Sequence, residues 1–205
     1  MAECNGENRI SLQGIVAGDP VPTHQNHGVE YYTIPFCVPR LSGAEDVLNL
    51  VVPQYDLWQW MPGAWMRVEG EVRSFNNRSG VGPRLVITVL VRRAAPCEAV
   101  EGENRLVITG VLCKQPVRRR TPLGREICDL LLAVNRPYGR ADYLPCIAWG
   151  SLAALCGSME VGEVLRLEGR LQSRRYRKVT SDGEEERTAF EISIMNLLPE
   201  DGEDQ

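Results

Sequence analysis

The sequence predicts an all-β protein: two tandem copies of one five-stranded Greek-key barrel, each with a short helix between strands 3 and 4. Three observations predict it. First, the chain repeats itself 96 residues on. Asn8-Arg9, Gly14, Pro20, Gly28, Glu30, Arg40, Gly43 and Asp46 return as Asn104-Arg105, Gly110, Pro116, Gly124, Glu126, Arg136, Gly139 and Asp142. After three extra residues in the second copy, Gly63, Arg67, Glu69-Gly70 and Ser74 return as Gly162, Arg166, Glu168-Gly169 and Ser173. A period of this length is a small domain, too long for a solenoid unit. Second, apolar residues alternate with polar ones, or form short runs bounded by Gly and Pro, as strands do. Third, the order strand, strand, strand, short helix, strand, strand is the plan of the OB-fold, a partly open barrel that often binds oligonucleotides. A β-sandwich would need more strands per copy.

The elements are clearest in the second copy. Asn104 to Pro116 alternates around Leu106 and Ile108, and Gly110 marks a bend or bulge in this first strand. Arg118 to Arg125, punctuated by Pro122 and Gly124, reads as a hairpin loop. Glu126 to Arg136 is the second strand, ended by Pro137-Tyr138-Gly139, and Tyr143 to Trp149 is the third. Ser151 to Cys156 is prone to helix. Glu163 to Arg174 alternates again, a charged loop covers 175–187, and a last strand runs from Thr188 to Leu197. The first copy follows with strands near 8–18, 29–40, 46–53, 63–75 and 84–93, and with Tyr55 to Met61 in the helix slot. The domains are thus 8–95, a linker 96–103, 104–198, and an acidic tail 199–205.

Composition narrows the function classes. The net charge is −4, yet residues 8–100 carry 8 basic and 8 acidic side chains while 104–199 carry 15 and 11. Acid is concentrated at the ends and in the linker, and the second copy is basic, which is what matters to a polyanion. The polar, acidic N-terminus does not read as a signal peptide, and no apolar run approaches the ~20 residues of a membrane span. Seven scattered cysteines without a Cys-x-x-Cys pair support neither a zinc site nor a disulfide framework, and suggest reduced thiols in the cytoplasm. No phosphate-cradling loop, metal cluster or paired nucleophile and base is visible, so neither a cofactor nor an enzymatic activity is expected.

The second copy resembles the bacterial single-stranded DNA-binding protein family across 104–197. The matching stretches are Asn104 to Gly110, Thr121-Pro122-Leu123-Gly124-Arg125, Leu132 to Arg136, Ala148 to Ala153, and Glu168 to Arg174. The resemblance implies base stacking on Tyr138, Tyr143, Trp149 and Tyr176. For these aromatics the competing reading is barrel core. Arg118, Arg119, Arg120 and Arg125 on one loop, Arg174, Arg175, Arg177 and Lys178 on another, and Arg136 would follow the phosphate backbone, because these loops border the OB groove.

The first copy departs from that pattern. It has Ser42 and Val52-Pro53 where the second has Tyr138 and Trp149, and its hairpin loop, 22–27, lacks arginine. Arg73, Phe75 and Arg78 keep the chemistry of a weaker site, and His24 and His27 read as solvent-exposed. Trp58, Trp60 and Trp65 suggest packing or a contact between barrels. The resemblance implies sequence-tolerant binding and protection of single-stranded DNA in replication, repair, recombination or mobile-element transfer. It also implies four barrels per assembly, hence a homodimer of this chain. Family members carry an acidic tip with apolar end residues that recruits replication and repair proteins; the tail 200–205 is acidic and lacks apolar residues. The alternative function is a protein-interaction or primosome-type adaptor that binds nucleic acid weakly.

Overall fold

The computed structural model describes residues 7–77, 83–99, 101–180 and 183–199, with the main chain alone at 138, 178–180 and 185. The first repeat contains β1 (Asn8–Val16), β2 (Val21–Asn26), β3 (Val29–Pro39), β4 (Glu45–Pro53), a 3₁₀ turn (Gln54–Gln59), β5 (Trp65–Asn76) and β6 (Leu85–Pro96). The second contains β7 (Glu103–Leu112), β8 (Val117–Arg120), β9 (Glu126–Arg136), a 3₁₀ turn (Pro137–Gly139), β10 (Arg140–Trp149), α1 (Ser151–Cys156), β11 (Val164–Thr180) and β12 (Gly183–Leu198). Each repeat is an all-β barrel with the same strand order. The order is β2-β3-β4-β6-β5-β1 with β3 closing onto β1 in one, and β8-β9-β10-β12-β11-β7 with β7 closing onto β9 in the other. β4 runs parallel to β6 and β10 parallel to β12, as the Greek-key plan requires.

Two sequence expectations change. The first strand of each barrel is broken in two, so part of each presumed hairpin loop is the added strand β2 or β8. Pro20 and Pro116 stand in the break, where a residue without an N–H cannot continue the ladder. The charged stretch 175–187, expected as a loop, extends β11 to Thr180 and starts β12 at Gly183. A two-stranded ribbon in solvent satisfies its backbone internally and needs no apolar face, so charge alone does not exclude it.

Even-numbered residues of β3 and β4 fill the first core: Ile34, Phe36, Val38, Leu48, Leu50 and Val52 are at most 1% exposed. Odd-numbered neighbours lie on the opposite face, where Val51, Pro53, Ile127 and Ile147 are nonetheless buried, and the offset of 96 carries the same parity to β9 and β10. Barrel closure is tight where β1 crosses β3. A Cβ on Gly14 would lie 2.3 Å from the Cys37 carbonyl oxygen, so only glycine fits there. Of the three tryptophans of the first repeat, Trp60 is buried edge-on against Phe36 (ring centres 6.5 Å apart). Trp65 is half-buried opposite Ile15, and Trp58 is 77% exposed.

Contacts divide the chain into two units that are not contiguous in sequence. Among the described residues, one comprises Arg9–Arg105 with Gln172–Ala189; the other is built on Leu106–Leu171 and takes in 7–8 and 190–199. Within the first unit, the Ser173 N–H donates to Asp46 Oδ1 and the Val47 N–H donates to Ser173 Oγ, both at 2.9 Å. The distal arm of β11 and β12 thus packs with the first repeat. Among the described residues no helix is long and apolar enough to cross a membrane.

Candidate nucleic-acid interface

In the second unit the outward positions of β10 carry Tyr143 and Trp149, 48% and 37% exposed. Six residues apart on one face of a strand, they stand about 20 Å apart. Register places Tyr143 opposite Ala133 and Trp149 opposite Ile127 on β9. Neither ring is core, because the inward positions belong to Leu144, Cys146 and Ala148. Gly150, at φ +58°, then turns the chain sharply into α1, and its N–H donates to the Glu126 carbonyl. Tyr138 lies in the 3₁₀ turn, and its side chain is outside the described residues.

β8 adds the cations. Arg118, Arg119 and Arg120 pair with Cys128, Ile127 and Glu126, so Arg119, Ile127 and Trp149 form one row across β8, β9 and β10. Arg118 and Arg120 approach Glu126 at 3.7 and 3.1 Å, and Arg119 meets Asp129 at 2.5 Å. The hydrogen bond to Asp129 raises Arg119 further above its ordinary pKa. Exposed pairs of this kind are worth roughly 0–1 kcal/mol, so a phosphate can exchange for either carboxylate. A depression of about 270 Å³ is lined by Arg118, Arg119, Arg120, Glu126 and Ile127. The Arg118 stem crosses Gly157, where a Cβ would lie 2.2 Å from its Cδ. Arg125 is exposed in the turn, its N–H held by Thr121 Oγ1.

Arg136 has a different setting. Its guanidinium clasps both oxygens of Asp142, which is completely buried. Arg40 and Asp46 repeat the clasp in the first barrel. The structure therefore ties Arg136 to the base of β10, beside Tyr143, where the sequence grouped it with phosphate ligands. Sequence reasoning recorded both pairs as repeat landmarks and missed that they are ion pairs, although Arg-x₅-Asp at the same offset was the available signal.

The remaining candidates fall in the first unit. On the arm, the Arg174 guanidinium lies 5.8 Å from the Tyr176 ring centre, a cation–π contact. Arg175 is exposed, and Arg177 approaches Glu184 at 3.6 Å. The Lys178 side chain is outside the described residues. On β5, Phe75 is 54% exposed, whereas Arg73 is half-buried and paired with Glu71. Arg78 lies outside the described residues. Contacts thus separate the arm cluster, in one unit, from the β8 cluster in the other.

Two broken-strand barrels of this strand order define a tandem OB-fold protein, with exposed aromatics and arginines on outer strands of the second. Residues 103–198 match the model of the single-strand binding protein family. The match takes in the second repeat, a little under half of the chain. Similar relatives include the single-stranded DNA-binding protein of Halalkalibacterium halodurans, 32% identical over 99 residues, covering 45% of this chain and 56% of that protein. Single-stranded DNA-binding protein A of Bacillus subtilis is 35% identical over 80 residues, covering 36% and 46%. The chain therefore spans about half the length of the curated relatives it matches. The fold of the whole chain is similar to the crystal structure of wild-type single-stranded DNA binding protein from Thermus aquaticus: TM-score 0.77, 21% identity, 98% and 96% covered.

Proposed function

We propose that this chain binds single-stranded DNA without sequence preference and protects exposed strands in replication, repair, recombination or mobile-element transfer. The observation that carries the reading is the outer face of β10, with Tyr143 and Trp149 exposed and Arg119 in the same row as Trp149. Bases stack on the two rings, a contact worth roughly 1–3 kcal/mol per base and indifferent to sequence. Arg118, Arg119, Arg120 and Arg125 neutralise phosphates along β8 and its turn. Arg174, Arg175 and Arg177 do the same work on the arm, where Tyr176 offers a further stacking face, and Arg136 positions β10 through Asp142. Binding of this kind needs no catalytic group. Two barrels per chain give four in a homodimer, which light scattering on the purified chain tests; a monomer refutes it.

Titration with oligo(dT) while following tryptophan emission tests the binding. Quenching is expected, and Trp149→Ala removes most of it and lowers affinity about 5- to 150-fold. No binding at low salt refutes the reading. It would favour a protein-interaction adaptor, for which Tyr55, Trp58 and Met61, each at least 66% exposed around the 3₁₀ turn of the first repeat, supply the apolar surface.

A further inference from the structure

The first repeat lacks an aromatic at Pro53, the place Trp149 holds in the second, yet the same row of its outer face carries one. Pro53 pairs with Tyr31 on β3, and Tyr31 pairs with His24 on β2. In the second repeat the corresponding row is Trp149, Ile127 and Arg119. The aromatic has moved one strand over, and histidine has replaced arginine beside it. A register shift between Pro22 and His24 makes this row: the extra residue brings His24 opposite Tyr31 where an unbroken ladder would bring Thr23.

The two rings form a ready slab. Their centroids are 5.0 Å apart and their planes differ by 4°. His24 is exposed and Tyr31 half-buried, so the tyrosine is backed by protein while the histidine meets solvent. Thr23 fixes both. Its hydroxyl donates to the Tyr31 carbonyl oxygen at 3.0 Å and lies 3.0 Å from His24 Nδ1. With the hydroxyl proton already used, Nδ1 must carry the hydrogen and donate to Oγ1, which sets the imidazole tautomer and its plane. The hairpin behind the slab is short: Asn26 pairs with Val29, and His27 and Gly28 make the turn at φ +48° and +79°, as a tight two-residue turn requires. Ordering these rings therefore costs little when a ligand arrives.

From this the geometry points to a nucleobase-stacking platform on the first repeat, made of His24 and Tyr31, that takes a base of single-stranded DNA. It rests on the function proposed above and makes the first barrel a binding surface in its own right, at a position the sequence set aside as exposed histidines. The arm belongs to the same unit and is pinned at Asp46 and Val47, the other end of β4, so Arg174 and Arg175 are available to the phosphates of the same strand.

The test is binding of a long oligo(dT) to the full chain carrying Tyr31→Ala, Tyr31→Phe or His24→Ala, together with photo-cross-linking of 5-iodouracil-substituted oligo(dT) to the unaltered chain and peptide mapping. Tyr31→Ala is expected to weaken binding about 5- to 150-fold, Tyr31→Phe to retain it, and His24→Ala to fall between. Cross-links are expected on the tryptic peptide 10–40. Should Tyr31→Ala fail to fold, the cross-link map decides alone. Unchanged affinity in Tyr31→Ala, or cross-links confined to the second repeat, overturns the platform and leaves the proposed function standing. Absence of oligo(dT) binding by the unaltered chain overturns both.

Discussion

Replacing Arg136 with Met separates a structural cation from a phosphate ligand. Asp142 is fully buried, and Arg136, with its side chain 24% exposed, holds both of its oxygens. Removing the cation strands a carboxylate in the barrel, a loss of about 3–5 kcal/mol for a fully buried pair. Since a quarter of the arginine still meets water, we take the low end, about 3 kcal/mol. For a unit of this size each kcal/mol lowers Tm by about 4 °C or more, so the variant should melt about 12 °C lower or worse. Differential scanning calorimetry of Arg136→Met beside the parent measures the loss. The accompanying readout is the salt dependence of oligo(dT) affinity, which should keep its slope, because a lost phosphate contact would lower it by about 0.7. The double change Arg136→Met with Asp142→Leu, which leaves no buried charge, should recover much of the stability. A Tm within 3 °C of the parent together with a reduced slope would refute the structural assignment and return Arg136 to the phosphate ligands.

Two further outcomes are expected. Changing Arg118, Arg119 and Arg120 together to Ala should lower the salt slope by about 2, roughly 0.7 for each contact, and leave Tm nearly unchanged, since their pairs are exposed. An unchanged slope would remove β8 from the phosphate path. The thiols give the pH dependence. Burial pushes Cys156 up to about 11, and burial followed by the charges of Glu45 and Asp46 pushes Cys37 up to about 11. Both folded values lie above the ordinary thiol range, so the unfolded chain loses these protons first. Their contribution is fully present below pH 9 and is lost as pH rises toward 11. Urea midpoints from pH 8 to 11 should therefore fall, and Cys156→Ala should flatten the fall; a slope unaffected by that change would exclude the thiol as its source.

The residue types of the candidate site were legible in the chain, and much of their arrangement was not. Tyr143 and Trp149 could be named as candidates from the family resemblance, and the arginines of 118–120 from their clustering on a stretch that borders the OB groove. That Arg118 to Arg120 belong to a strand was hidden, since four exposed residues between a proline and a turn have no apolar alternation to display. The partner of Arg136 was hidden for a related reason: an arginine ending a strand looks the same whether or not a buried aspartate waits six residues on. His24 is exposed, as its sequence setting suggests, but its stacking on Tyr31 depends on a one-residue shift in register that no local pattern announces.

The sequence by itself determined the duplication, the strand parity, the helix slots and the concentration of positive charge in the second copy. The first three are carried by local periodicity and by an offset of 96 residues that becomes 99 from Gly63 on, the last by composition. Only the tertiary structure decided which cations face solvent, which aspartates are buried beneath them, and that the arm Gln172–Ala189 packs with the first repeat. Those outcomes depend on cross-strand register and on contacts between residues more than 100 positions apart, such as Asp46 with Ser173. Long-range pairing is settled by whole-barrel packing and not by any one segment.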